Sequence, residues 1–120
     1  MFYRDVDEFW DVFMADDVAS WLAALAPGKY RRVVAALVVL RSQGPALGRP
    51  LVDSISGSAI GNLKELRVGS VRILFAFDRE RHAVLLVAGD KRDKWSSWYR
   101  EAIPAAEARY ASWLEGRRGT

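Results

Sequence analysis

The chain has 120 residues, 51% of them apolar and 28% charged, with no cysteine and a single histidine, His82. That size and balance fit one folded domain over residues 1–120, and they exclude a disordered chain, a disulfide framework, a Cys-ligated zinc site and a thiol nucleophile. The formal net charge is +3, but residues 1–17 hold one cation and six acids, a net −5, which leaves +8 on the remainder and permits a face that binds a polyanion. No apolar run reaches the roughly 18 residues a membrane span needs. Asp5, Asp7 and Glu8 stand in an acidic N-terminal extension (residues 1–8) where a signal peptide would carry cations, so the chain reads as cytoplasmic.

In chain order, Phe9–Met14 predicts a short first strand with Trp10, Val12 and Met14 on one face. Asp16 or Asp17 can cap a helix running to about Ala26, with Val18, Trp21, Leu22 and Leu25 at helical spacing. Pro27-Gly28 breaks it, and a second helix from about Lys29 to Gln43 buries Val33, Ala36, Leu37 and Leu40. Residues 44–62, with four glycines and two prolines, read as a loop. Leu63–Val68, Val71–Asp78 and His82–Ala88 are strand-like and closely connected, which predicts an antiparallel meander through Gly69-Ser70 and Arg79-Glu80-Arg81. After the charged loop Gly89–Lys94, a helix from Trp95 to about Ala102 is restarted or kinked by Pro104. It continues with an inner stripe of Ala106, Tyr110, Trp113 and Leu114. The order β-α-α-β-β-β-α is an α+β domain, two N-terminal helices and a C-terminal helix packed on an antiparallel sheet.

Three stretches could carry chemistry. Arg67 and Arg72 flank the two-residue turn, so cross-strand pairing brings two guanidiniums together. They repel unless an anion lies between them. That anion is either a bound phosphate, captured by two bidentate donors, or a carboxylate of the chain, Glu65 or Asp78. Lys91, Arg92 and Lys94 form a cationic cluster in which a lysine pKa is depressed toward general acid–base use, although Asp90 and Asp93 oppose the shift. Trp95, Trp98 and Tyr99 stand at helical spacing, either packed on the sheet or stacking on nucleobases. His82 begins a strand and is read as structural or exposed. No metal-ligand spacing is present, and Ser56-Gly57-Ser58 lacks the glycine spacing and lysine of a phosphate loop, so neither a metal nor another cofactor is expected.

Gly44–Asp53, Asn62–Arg67, Arg72–Asp78, Gly89-Asp90-Lys91, Trp98-Tyr99 and Ile103-Pro104 follow one another in an order that resembles the phage-derived Gp49-like, HigB-type toxins of the RelE/ParE superfamily. The resemblance spans about residues 10–114 and agrees with the order of elements read above. It implies a type II toxin that cuts mRNA in the decoding site of the 70S ribosome, without metal, by attack of the ribose 2′-OH on the adjacent phosphate. It also implies a cognate antitoxin with a helix-turn-helix domain, through which alone operator DNA would be met. By position, Arg67 and Arg72 become phosphate clamps. Lys91 and Lys94 become base or charge stabiliser, and Tyr99 an acid or stacking residue. Lys64, Arg92 and Trp98 become RNA contacts. ParE-type relatives share the fold but poison DNA gyrase without catalysis, and a degenerate toxin can act as a corepressor with its antitoxin, so these remain the alternatives.

Overall fold

A computed structural model describes residues 9–90 and 95–118. Its elements are β1 (Asp11–Met14), α1 (Asp16–Ala23), α2 (Pro27–Gln43), a 3-10 turn (Gly44–Ala46), β2 (Val52–Ser54), β3 (Leu63–Val68), β4 (Val71–Phe77), β5 (His82–Asp90) and α3 (Trp95–Arg118). The five strands form one sheet in the order β1-β5-β4-β3-β2.

β4 is apolar at almost every position and buried along nearly its whole length, which marks a central strand covered on both faces. Val33 and Leu40 of α2 and Val18 of α1 pack on one face against Leu66, Ile73, Phe75 and Leu85. Ala102, Ala106 and Tyr110 of α3 cover the other, against Leu63, Leu74, Ala76 and Leu86. The sheet is thus sandwiched, and each face has its own helical cover.

Several expectations need correction. The sheet is mixed: β1 runs parallel to β5, pairing Asp11 with His82 and Met14 with Leu85, while the other pairs are antiparallel. The α1 and α2 segments intervene between β1 and the meander, and that crossover permits the parallel pairing. The region 44–62 is not all loop, since Val52–Ser54 forms a short edge strand against β3. Asp16 and Asp17 do not cap α1; Ala15 holds the N-cap and both acids lie in the first turn, where the helix dipole favours them. α1 stops at Ala23 rather than Ala26, and α2 begins at Pro27 rather than about Lys29, with the proline as its first residue. α3 runs through Pro104 without interruption, because Pro104 is exposed and the buried residues on either side hold the helix to the sheet. Leu114, expected inside, is 38% exposed.

Two devices set the register. Gly69 opens the β3–β4 loop at φ 59°, as a two-residue hairpin requires. A bulge between β4 and β5 moves the pairing from Phe75↔Leu85 to Leu74↔Val87, so Gly89 comes opposite Arg72 on the α3 face. At the far side of the fold, Gly44 ends α2 at φ 57°, and a Cβ there would enter the indole of Trp10. Gly44→Ala combines the left-handed penalty with that collision and should cost about 2–4 kcal/mol, read from urea unfolding. A cost within experimental error would mean Trp10 is not packed as described.

Candidate active site on the third-helix face

Strand alternation places Leu63, Glu65 and Arg67 of β3 toward α3, with Arg67 paired directly to Arg72 of β4. The two guanidiniums do meet in the sheet, and the anion between them is Glu65. Its side chain is buried, with the residue only 1% exposed. Glu65 Oε1 accepts from Arg67 Nε at 2.9 Å and lies 3.9 Å from Arg72 Nε. Its other oxygen accepts the hydroxyl proton of Tyr99, which reaches down from α3. Asp78, the other carboxylate considered from sequence, is committed elsewhere.

The ion pairs extend outward. Arg67 Nη2 is 3.3 Å from Asp53 of β2, and Asp53 is 3.1 Å from Arg49 Nε. Arg72, Glu65, Arg67, Asp53 and Arg49 therefore alternate in sign from the centre of the sheet to its edge. Arg72 is anchored at the inner end, its Nη1 donating to the carbonyls of Gly69 at 2.5 Å and Val71 at 2.9 Å. Arg67 is accessible, with 39% of its side chain exposed. It lines a concave pocket of about 320 Å³ together with Glu65, Tyr99, Ile103 and Ser54.

This arrangement shifts protons in a definite way. Burial, followed by the hydrogen bond to Glu65, pushes the Tyr99 hydroxyl up to about 12, with Arg72 pulling slightly the other way. Tyr99 is consequently a neutral proton donor at any physiological pH. The bond to Glu65 raises Arg67 above its ordinary value. The backbone N–H of Ser54, then Arg49 and Arg67, hold Asp53 below the usual carboxylate range.

The other candidates divide. Trp98 is half-buried, edge-on to Tyr99 with ring centroids 4.9 Å apart, and rests on Gly89, where a Cβ would strike its indole. It supports Tyr99 from the side. Lys64 stands on the opposite face of β3, in line with Leu66 and opposite Phe75, so the structure does not bring it to the cluster. Lys91, Arg92 and Lys94 lie outside the described residues. Sequence reasoning left Glu65 as one of two alternatives and missed Asp53 and Arg49. The available signal was Glu65 at an inward position of the alternating run Leu63–Val68, where an apolar residue would otherwise stand.

A second polar cluster closes the β4–β5 turn. Ligand atoms of Asp78, Glu80 and His82 lie within 4.8 Å of one another, the one such group among the described residues. Asp78 Oδ1 accepts the backbone N–H of Glu80 and His82, and Oδ2 accepts His82 Nδ1 at 2.8 Å and Trp113 Nε1 at 2.9 Å. Glu80 pairs with Arg117 at 2.8 Å. These donors and acceptors are spent on holding the turn to α3, and His82 is structural, as expected.

The raised Tyr99 has a measurable signature. A hydroxyl whose folded value lies above its unfolded one contributes stability that is complete below pH 10 and is lost as pH rises toward about 12. The stability margin of wild type over Tyr99→Phe should therefore narrow across that window in urea unfolding series. A margin independent of pH between 8 and 12 would contradict the Glu65–Tyr99 bond.

A family model described as phage-derived protein Gp49-like matches residues 20–111. Two Mycobacterium tuberculosis proteins whose names assign them as toxins are similar. HigB2 is 49% identical over 102 residues, covering 81% of this chain, and HigB3 is 43% identical over 110 residues, covering 90% of it. The chain spans about half the length of HigB2, 51%, but 96% of HigB3. Among solved structures, the archaeal RelE–RelB complex of Pyrococcus horikoshii superposes with a TM-score of 0.60 at 18% identity, covering 71% of this chain and 98% of that one. A free-state mutant of Escherichia coli RelE gives 0.60 at 13% identity, over 80% and 96%. At those identities the likeness establishes the fold alone. On the extent of the family match and the identity to HigB3, the chain belongs to the phage-derived Gp49-like family, and its fold is that of RelE.

Proposed function

We propose that this chain is the toxin of a type II toxin–antitoxin system and an endoribonuclease that cuts mRNA on the 70S ribosome in the cytoplasm. The observation that carries the catalytic part is the pairing of Tyr99, a hydroxyl held neutral, with the accessible guanidinium of Arg67 at one pocket. The toxin part rests on the names of the similar proteins HigB2 and HigB3.

In this reading the ribose 2′-oxygen attacks the adjacent phosphorus and its proton passes to a base. Lys91 and Lys94 are the proposed candidates for that base. The P–O5′ bond breaks, the Tyr99 hydroxyl turns its single proton from Glu65 to the departing 5′-oxygen and gives it up there, and the products are a 2′,3′-cyclic phosphate and a 5′-hydroxyl end. Arg67 stabilises the charge that builds on the phosphorane. Arg72 stands behind it and supports the Tyr99 oxygen as it loses its proton. Both oxygens of Glu65 are engaged, so Glu65 is a positioning residue that holds Arg67 and Tyr99 at the pocket. Trp98, Arg92 and Lys64 are proposed as RNA contacts, Lys64 away from the catalytic pocket. All steps use side chains of the chain, so the proposed chemistry needs no metal or other cofactor. The proposed antitoxin carries a helix-turn-helix domain and is the sole route to operator DNA.

Primer extension on a defined mRNA, with and without 70S ribosomes, tests this directly. Cuts should require ribosomes and vanish when antitoxin is added. Arg67→Ala should slow them by about 10²–10³, the loss typical of one donor to a developing oxyanion. Lys64→Ala should have a smaller effect that shrinks as salt rises. Growth arrest by a folded protein without any cleavage would move the assignment to a non-catalytic poison of DNA gyrase or another protein.

A further inference from the structure

The side chains that α2 does not give to the core have an order of their own. Val33, Ala36 and Leu40 are buried against the sheet, whereas Tyr30, Val34 and Val38, spaced by four, are 44%, 39% and 63% exposed. The core does not require an apolar stripe there. Tyr30 and Val34 also wall a cleft of about 150 Å³ between α1 and α2, floored by Leu22, Val33 and Leu37. That is the volume of one large apolar side chain. The charges around the stripe have one sign: α2 carries Lys29, Arg31, Arg32 and Arg41 and no acid from Pro27 to Gln43. Lys29 is paired with Asp90 at 2.9 Å and Arg41 lies over the ring of Phe9, 5.5 Å from its centroid. Arg31 and Arg32 are exposed beside the apolar row, and no described residue pairs with either.

We propose that this α1–α2 face is the docking surface for an acidic amphipathic helix of the antitoxin. The helix would seat one apolar side chain in the cleft, lay others on Val34 and Val38, and turn its acids toward Arg31 and Arg32. The proposal rests on the toxin reading above and adds the chemistry and place of the partner. Apolar anchors at three- and four-residue spacing flanked by carboxylates match both the stripe and its charge. A second copy of this chain fits poorly, because it would bring the same arginines face to face. RNA would meet the arginines and leave the valines in water. The surface lies across the sheet from Glu65, Arg67 and Tyr99, so antitoxin contact and RNA chemistry use different faces.

The test is calorimetric titration with the cognate antitoxin. Three toxins are compared: wild type, Val38→Asp, and the double variant Arg31→Glu/Arg32→Glu. Val38 lies outside the core, so thermal melts should match wild type. Val38→Asp should weaken binding about 100-fold, and the double reversal about tenfold with a shallower salt dependence. Both should still arrest growth when expressed without antitoxin. Unchanged affinity in Val38→Asp overturns the docking surface and leaves the toxin reading intact. Unchanged antitoxin binding with lost toxicity in the arginine variant also overturns it, and makes α2 an RNA surface. A wild type that neither arrests growth nor binds the antitoxin overturns the toxin reading on which the surface rests.

Discussion

A carboxylate buried between two arginines and a tyrosine sets the terms for the rest of this molecule. Arg67 and Arg72 are forced together by the register of one hairpin, and like charges so placed would push the strands apart. Glu65 removes that conflict, yet a buried carboxylate is itself expensive to desolvate. It is tolerated because its oxygens are engaged by Arg67 and Tyr99 and because Arg72 stands close by. The same contacts fix where Tyr99 points, and with it the start of α3 on the sheet. Removing any one partner would leave a charge or a donor stranded, which is why the group behaves as a unit.

That constraint explains the division of labour between the faces. On the α3 side the sheet is interrupted by charge, and α3 must approach closely to bring Tyr99 to Glu65. Gly89 permits this, since any side chain at that point would displace Trp98, the immediate neighbour of Tyr99. The bulge in β5 is what presents Gly89, rather than Ala88 or Asp90, to the helix. The opposite face carries the continuous apolar core of Val33, Leu40, Ile73 and Phe75. The α1–α2 pair is thereby free to use its outer surface for recognition.

Much of this was legible in the residues, for reasons that differ by element. Leu63–Val68 and Val71–Phe77 alternate around Gly69-Ser70, so their pairing and the meeting of Arg67 with Arg72 followed from local pattern. Which anion separates the arginines did not, because Glu65 and Asp78 both face α3 and only their places along the strands distinguish them, Glu65 near the turn and Asp78 past the far end of β4. The parallel seating of β1 was hidden for a different reason: four residues announce a strand but not a partner about 70 positions away. β2, three residues inside a Gly- and Pro-rich stretch, has too little periodicity to be seen. Pro104 misled because its cost to a helix is local, whereas Ala102, Ala106 and Tyr110 bury the helix on both sides of it. The bulge that aims Gly89 leaves no mark in composition at all.

The central claim is that Tyr99, kept neutral by burial and by Glu65, supplies the proton to the departing 5′-oxygen. The measurement that addresses it most directly is single-turnover cleavage of ribosome-bound mRNA by Tyr99→Phe, with ribosome and antitoxin binding measured alongside. The account predicts a loss of about 10²–10⁴ in the cleavage rate with both affinities retained, the range expected for removal of a general acid. Cleavage at the wild-type rate by a folded Tyr99→Phe protein would contradict it.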